Sequence, residues 1–223
     1  MSRPEVGAVE FTSFQSVWSF LAAGGPVMIP IALCSVAALG FALERHLRLT
    51  WRRTSPRGFD DALAAVERGD AAEAEALCAK VEAPSTRILA AGLRKRSLGY
   101  GAVERAMEEQ GAREAERMRR GVRPLQLVTH LAPLLGLFGT VVGIYQAFHV
   151  VARTDALGDA RLLASGIEAA LITTIAGLVV AIPAIVVHHH FAGRIRGLLG
   201  RLEERLSDVP TKLAAAPEAR RAA

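Results

Sequence analysis

The chain has 223 residues, 51% of them hydrophobic and 5% aromatic, with 22% charged and a formal net charge of +5. A mean hydropathy of +0.27 beside that much charge implies apolar and charged residues in separate blocks, which excludes one ordinary soluble domain. The basic excess raises nucleic acid as a partner until the charges are located.

The first apolar block, 11–43, has no charged residue and centres on the stretch from Pro26 to Leu43. It predicts a transmembrane helix over 20–44, with 1–19 outside. It lies too far along, lacks a basic lead and ends in Glu44-Arg45, so it reads as a retained helix and not a cleaved signal.

The segment 45–123 predicts a cytoplasmic helical loop. Its pieces are an amphipathic stretch near Phe59 to Val66, an Ala/Glu-rich helix from Ala71 to Lys80, and a helix opening at Pro84 with Ile88, Leu89 and Leu93 as its stripe. Gly99-Tyr100-Gly101 breaks the chain before a charged helix, Ala102 to Arg120. Pro124 sets a bend or a new first turn. These helices are too polar for a large core of their own. They are expected to pack on extensions of the later membrane helices or on neighbouring subunits.

The second block, 124–152, is charge-free apart from the two histidines His130 and His149. The third block, 162–193, has Glu168 as its only charged side chain. About 20 apolar residues span a hydrocarbon core of roughly 30 Å, so these predict transmembrane helices over 124–152 and 165–191, joined by an outside loop at 153–164. The tail, 192–223, predicts a cytoplasmic helix with Leu198, Leu199, Leu202 and Leu206 on one face, then disorder after Pro210. The fold class is therefore all-α: a polytopic membrane protein with three transmembrane helices and a helical cytoplasmic domain.

Of the 27 Lys and Arg, 24 lie in the long loop and the tail. The positive-inside rule then puts the N-terminus outside and the C-terminus in the cytoplasm. The basic clusters flank membrane ends and face lipid headgroups, so the charge calls for no nucleic acid. Cys34 and Cys78 have no metal-ligand spacing and read as free thiols. His188, His189 and His190 are consecutive, point three ways on a helix and read as a solvated interface end. No hydrolase, phosphate-loop or zinc-protease spacing is present, so neither an enzyme nor a cofactor or metal is expected.

The second helix places Gly136, Gly139, Thr140 and Gly143 on small-residue faces beside Pro133, and the third places Ala170, Thr174, Gly177, Ala181 and Ala184 on one stripe, with Thr173 beside it and Pro183 as a kink. Helix packing accounts for the glycines, and a lone threonine commonly bonds its own backbone. Two threonines on small-residue faces also admit a narrow polar path. No Asp, Glu, Lys or Arg stands at the middle of any block, so a proton crossing here needs a titratable group from a partner.

The second block resembles the A-P-x-x-G-L-x-G-T-V-x-G segment of the ExbB/TolQ/MotA proton-channel family, at Ala132, Pro133, Gly136, Leu137, Gly139, Thr140, Val141 and Gly143. The third is similar to its G-I-x-E-A-L-x-x-T-x-x-G-L-x-x-A-I-P segment. There Gly166, Ile167, Ala170, Leu171, Thr174, Gly177, Leu178, Ala181, Ile182 and Pro183 match. Gly24, Gly25, Pro26, Glu44 and Arg45 resemble the ends of its first helix. The resemblance implies a homopentamer around a single-pass ExbD/TolR-like partner with a membrane Asp. It also implies a further TonB/TolA-like protein, the bacterial inner membrane, and Thr140 and Thr174 on the proton path, with Thr173 and Glu168 as further candidates for that path. Three passes resemble ExbB/TolQ more than MotA, the flagellar stator type, which has four. Two departures stand out: Val142 replaces an aromatic, and the acid before Ala-Leu is one residue early, at Glu168 with Ala169 in its place. One residue turns a helix by about 100°. Glu168 should therefore share a face with Leu171, Ile172 and Ile175, away from Thr174, unless the helix rotates locally; on that face it would point to a subunit contact or to outside water. A membrane scaffold that conducts nothing is the reading from another class.

Overall fold

The computed structural model describes residues 24–153 and 160–221. Every regular element among them is helical. In chain order they are α1 Met28–Arg48, α2 Trp51–Thr54, α3 Arg57–Glu67, α4 Ala71–Lys80, α5 Pro84–Lys95, α6 Tyr100–Arg120, α7 Arg123–Arg153, α8 Ala160–Leu206 and α9 Val209–Arg221. Three helical stretches, Met28–Arg48, Tyr100–Arg153 and Leu163–Ala215, are long and apolar enough to cross a membrane. The chain divides into two compact units: Met1–Gly40 with Leu125–Val186, and Phe41–Pro124 with Val187–Ala223.

The first, apolar unit takes α1 up to Gly40, α7 from Leu125 and α8 up to Val186. A 3-10 turn, Gly25–Val27, leads into α1. Gly25 has φ +68, which a side chain would resist, so the regular helix starts after it. The expected bounds of 20–44 thus shift: 20–23 lie outside the described residues, and the helix runs on to Arg48. Arg45 and Arg48 stand in its last turn, where cations suit the helix end. Met28 and Ile31 pack against Ala176, with Leu135 and Val180 beside them. Large apolar side chains such as Val36, Leu39, Phe138 and Val179 stay exposed, as they can where the surround is lipid or neighbouring helices. The third helix begins at Ala160, ahead of the expected 165, and is continuous through Pro183. Most of the expected outside loop, 154–159, and the N-terminal 1–19 segment lie outside the described residues.

The second, charged unit has a core of its own. Phe59, Ala62 and Val66 of α3 meet Ala74 and Cys78 of α4, Ile88, Leu89 and Leu93 of α5, and Val103 and Met107 of α6. Leu202 and Leu206 of α8 and Val209 and Leu213 of α9 complete it. The loop helices therefore do enclose apolar side chains, and the end of the third long helix supplies the missing wall. Asp70 caps α4 by accepting from the Glu73 N–H at 3.0 Å. Gly99, at φ +86, makes the break before α6, while Tyr100 and Gly101 already belong to that helix. Gly121 and Val122 separate α6 from α7, and Pro124 sits in the new first turn, where its missing N–H is no loss.

Glu114 is 1% exposed. It accepts two bonds from Arg87, from Nε and Nη2 at 2.8 Å each, and others from Gln110 and Arg117. The bond to Glu114 is the main cause holding the Arg87 guanidinium above its ordinary pKa. Both cysteines are free. Burial, then the charge of Glu75, pushes the Cys78 thiol up to about 11.

The expected disorder after Pro210 is corrected: Val209–Arg221 is helical, with Val209 and Leu213 buried. Leu206, Val209 and Leu213 continue the stripe of the preceding helix at steps of 3 and 4. Pro210 falls in the first turn, and the alanines that follow are strong helix formers. Lys212 adds a 3.0 Å pair with Glu67.

Candidate functional site

Within the apolar unit α7 and α8 pack along their small residues. A Cβ on Gly136 would meet the Thr173 carbonyl oxygen at 2.9 Å and the Thr174 Cα at 3.1 Å. One on Gly177 would meet the Ala132 carbonyl oxygen at 2.6 Å, and one on Gly143 the Ala170 Cβ at 2.8 Å. A Cβ on Gly166 would collide with Ala147. Partner numbers fall on one helix as they rise on the other, so the pair is antiparallel. Backbone lies against backbone, which only glycine and alanine permit.

Three hydroxyls gather at this seam. The Gly136 carbonyl oxygen lies 3.1 Å from the Thr140 hydroxyl, 3.1 Å from that of Thr173 and 3.2 Å from that of Thr174. The Thr140 and Thr174 hydroxyls also bond each other across the helices. Thr140 reaches the Ala170 carbonyl oxygen at 3.3 Å, and Thr173 reaches it at 2.7 Å. A hydroxyl has one hydrogen to give and two lone pairs. Thr140 and Thr174 have more acceptors in range than hydrogens, so either can donate to the other and turn. That is what a chain passing protons or ordering water requires.

Exposure separates the three. Thr173 is 2% exposed and its side chain fills the place a Gly139 Cβ would take. It is enclosed between the helices. Thr140 and Thr174 are half-buried, at the edge of the seam. Pro133 is half-buried on α7 and Pro183 exposed on α8. Glu168, Leu171 and Ile175 are exposed and Ile172 is half-buried. Glu168 is not among the residues the seam brings together. Among the described residues no His, Cys, Asp and Glu group is placed to hold a metal.

Ala132 and Ala147 join the site without having been singled out as helix-packing residues. Their signal was present in the four-residue steps 132, 136, 140 and 143, 147. The Gly136 carbonyl as common acceptor had none, because a backbone oxygen inside a helix is ordinarily taken by its own helix.

The family model described as the MotA/TolQ/ExbB proton channel family matches residues 80–204, which hold the whole seam. A putative biopolymer transport protein ExbB homolog of Methanothermobacter thermautotrophicus is 32% identical over 192 residues, covering 85% of this chain and 68% of that protein. An ExbB-like putative biopolymer transport protein of Synechocystis is 38% identical over 74% of this chain and 66% of its own length. The Tol-Pal system protein TolQ of Pseudomonas aeruginosa is 39% identical over 44% of this chain and 42% of its own length. The chain thus spans about two thirds of the first two and less than half of the third.

Proposed function

The chain belongs to the MotA/TolQ/ExbB proton channel family, and on that premise we propose that it is the ring subunit of a proton-driven inner-membrane motor energising envelope transport, with Thr140 and Thr174 on the proton path. The observation that carries this is the paired, half-buried hydroxyls at the edge of a seam otherwise made of glycine, alanine and the enclosed Thr173. A membrane helix has little reason to hold two such groups at its edge unless something polar meets them there.

Five copies surround a pair of helices from a single-pass ExbD/TolR-like partner, whose membrane Asp supplies the carboxylate that the middle of each apolar block of this chain lacks. That carboxylate, or a water beside it, is taken up by the two threonine hydroxyls as donor and acceptor in turn. Thr173 and the glycines hold the helix spacing, and Glu168 stands towards the outer mouth. The basic residues beside the membrane ends favour a periplasmic N-terminus and a cytoplasmic C-terminus. The relatives' names, biopolymer transport and Tol-Pal system, favour coupling to a TonB- or TolA-like protein.

The test is Thr140→Val and Thr174→Val in the chain co-reconstituted with a single-pass partner bearing a membrane Asp. Valine keeps the shape and removes the hydroxyl. Proton uptake into the vesicles should fall by about tenfold or more, equal to ~1.4 kcal/mol on the barrier, while the native mass of the complex stays the same. Unchanged uptake with an intact complex would replace the channel reading with a non-conducting scaffold.

A further inference from the structure

His130 lies inside the apolar run of α7, seven residues past Arg123 and so about 10 Å along the helix from that charge. It is exposed, as are its apolar neighbours Leu127, Leu131 and Leu134. An ionisable side chain at such a depth is costly unless it meets water or a polar partner.

Its ring is held in one orientation. Nδ1 lies 2.9 Å from the Gln126 carbonyl oxygen and 3.1 Å from the Thr129 hydroxyl. A carbonyl oxygen only accepts, so the bond to Gln126 belongs to the tautomer with the hydrogen on Nδ1. The Thr129 hydroxyl donates to the same carbonyl oxygen at 2.7 Å, which leaves its lone pairs towards Nδ1. With the hydrogen on Nδ1, Nε2 is the ring nitrogen with a free lone pair. Proton transfer at Nε2 leaves the Nδ1–H bond in place, so the ring need not turn over between cycles.

The placement on α7 follows from the helix period. His130 stands about 80° from Thr140 around the axis and about 140° from Leu135, at 100° per residue. Leu135 packs towards α1 with Met28 and Ile31. His130 therefore belongs to the flank of Thr140 and not to the flank that α1 covers. Along the axis it is ten residues, about 15 Å, from Thr140 on the Arg123 side. The facing stretches of the packed helices, 28–40 of α1 and 176–186 of α8, contain no Asp, Glu, Lys or Arg, and Cys34 is the titratable group in them.

We propose that His130 is a proton-relay residue between the Thr140–Thr174 pair and the Arg123 end of α7. Its Nε2 accepts a proton from water in the path, giving an imidazolium, and returns it to water nearer that end, which restores the neutral ring. This rests on the proton-path reading above, and the experiment separates the two. Vesicles holding the full chain with a single-pass partner bearing a membrane Asp are compared for wild type, His130→Gln, His130→Ala and Thr140→Val. Both His130 variants should keep the native mass of the complex and lose proton uptake by about tenfold or more, and added imidazole should restore uptake to His130→Ala. Wild-type uptake in both His130 variants, with uptake abolished in Thr140→Val, overturns the relay and leaves the path. A loss in His130→Ala that imidazole does not restore, or a changed mass, makes His130 structural and also overturns it. Wild-type uptake in Thr140→Val is the failure of the path itself.

Discussion

The two units of this molecule are held together by opposite means. In the apolar unit α7 and α8 meet through glycine and alanine, with hydroxyls bridging backbone oxygens, and the large side chains point outward. In the charged unit the large side chains, Phe59, Leu89 and Leu93, point inward and are fully buried, while the outside carries ion pairs. The difference follows the solvent. Water rewards removal of apolar surface, so the charged unit gathers its bulk at the centre. A hydrocarbon surround gives no such reward, and close backbone approach with interhelical hydrogen bonds is what remains. One unit should fail when atoms are added, the other when atoms are removed.

The largest effect should come from Gly177→Val. Its Cβ would lie 2.6 Å from the Ala132 carbonyl oxygen and 3.1 Å from the Gly136 Cα, both backbone atoms that cannot move aside alone. Overpacking ordinarily costs about 1–3 kcal/mol, and a clash on two backbones should exceed that range. The full chain should then give little or no monodisperse oligomer in detergent. Normal yield and mass would mean that the seam is looser than described.

Phe59→Ala reverses the test by emptying the centre of the charged unit, where Phe59 is 0% exposed and lies under Arg205. The expected loss is about 3–5 kcal/mol, read as a lower thermal midpoint and faster proteolysis within 57–95. The oligomer and the Thr140-dependent proton uptake of the full chain should survive at low temperature. If the variant lost the oligomer as readily as Gly177→Val, the two units would not be separable in stability.

A smaller effect is expected from Glu114→Gln. The amide keeps the volume but replaces a buried carboxylate that accepts from Arg87, Gln110 and Arg117. Arg87 is 35% exposed on its side chain, and that solvent screens the pair, so about 1–3 kcal/mol is expected. Pairing raises the pKa of Arg87. Its contribution is complete below the ordinary arginine value and is lost only as pH rises through the still higher folded value. The difference in thermal midpoint should therefore stay constant between about pH 6 and 9. A midpoint difference that vanished within that window would show that the pair does not hold α5 to α6.

Much of this was legible along the chain. The three apolar blocks stand out because a membrane crossing needs length and the absence of charge, and both are local. The small-residue faces of Gly136, Gly143 and Gly177 could be read from steps of 3 and 4. The shared acceptor at Gly136 and the enclosure of Thr173 could not, since both depend on how far α8 turns against α7. The tail misled for a related reason. Pro210 and the alanines look like a chain without a core, and only Leu206, Val209 and Leu213 meeting α3 to α6 make them a helix.

The sequence by itself determined the membrane class, the family and the faces on which threonine and glycine would lie, because these follow from composition and helical period. The tertiary structure decided which hydroxyls meet. It paired Thr140 with Thr174, enclosed Thr173 and left Glu168 on an exposed face. Period gives an angle around one helix axis, whereas contact depends on the register and rotation of two. Those are set by where glycine lets the backbones touch.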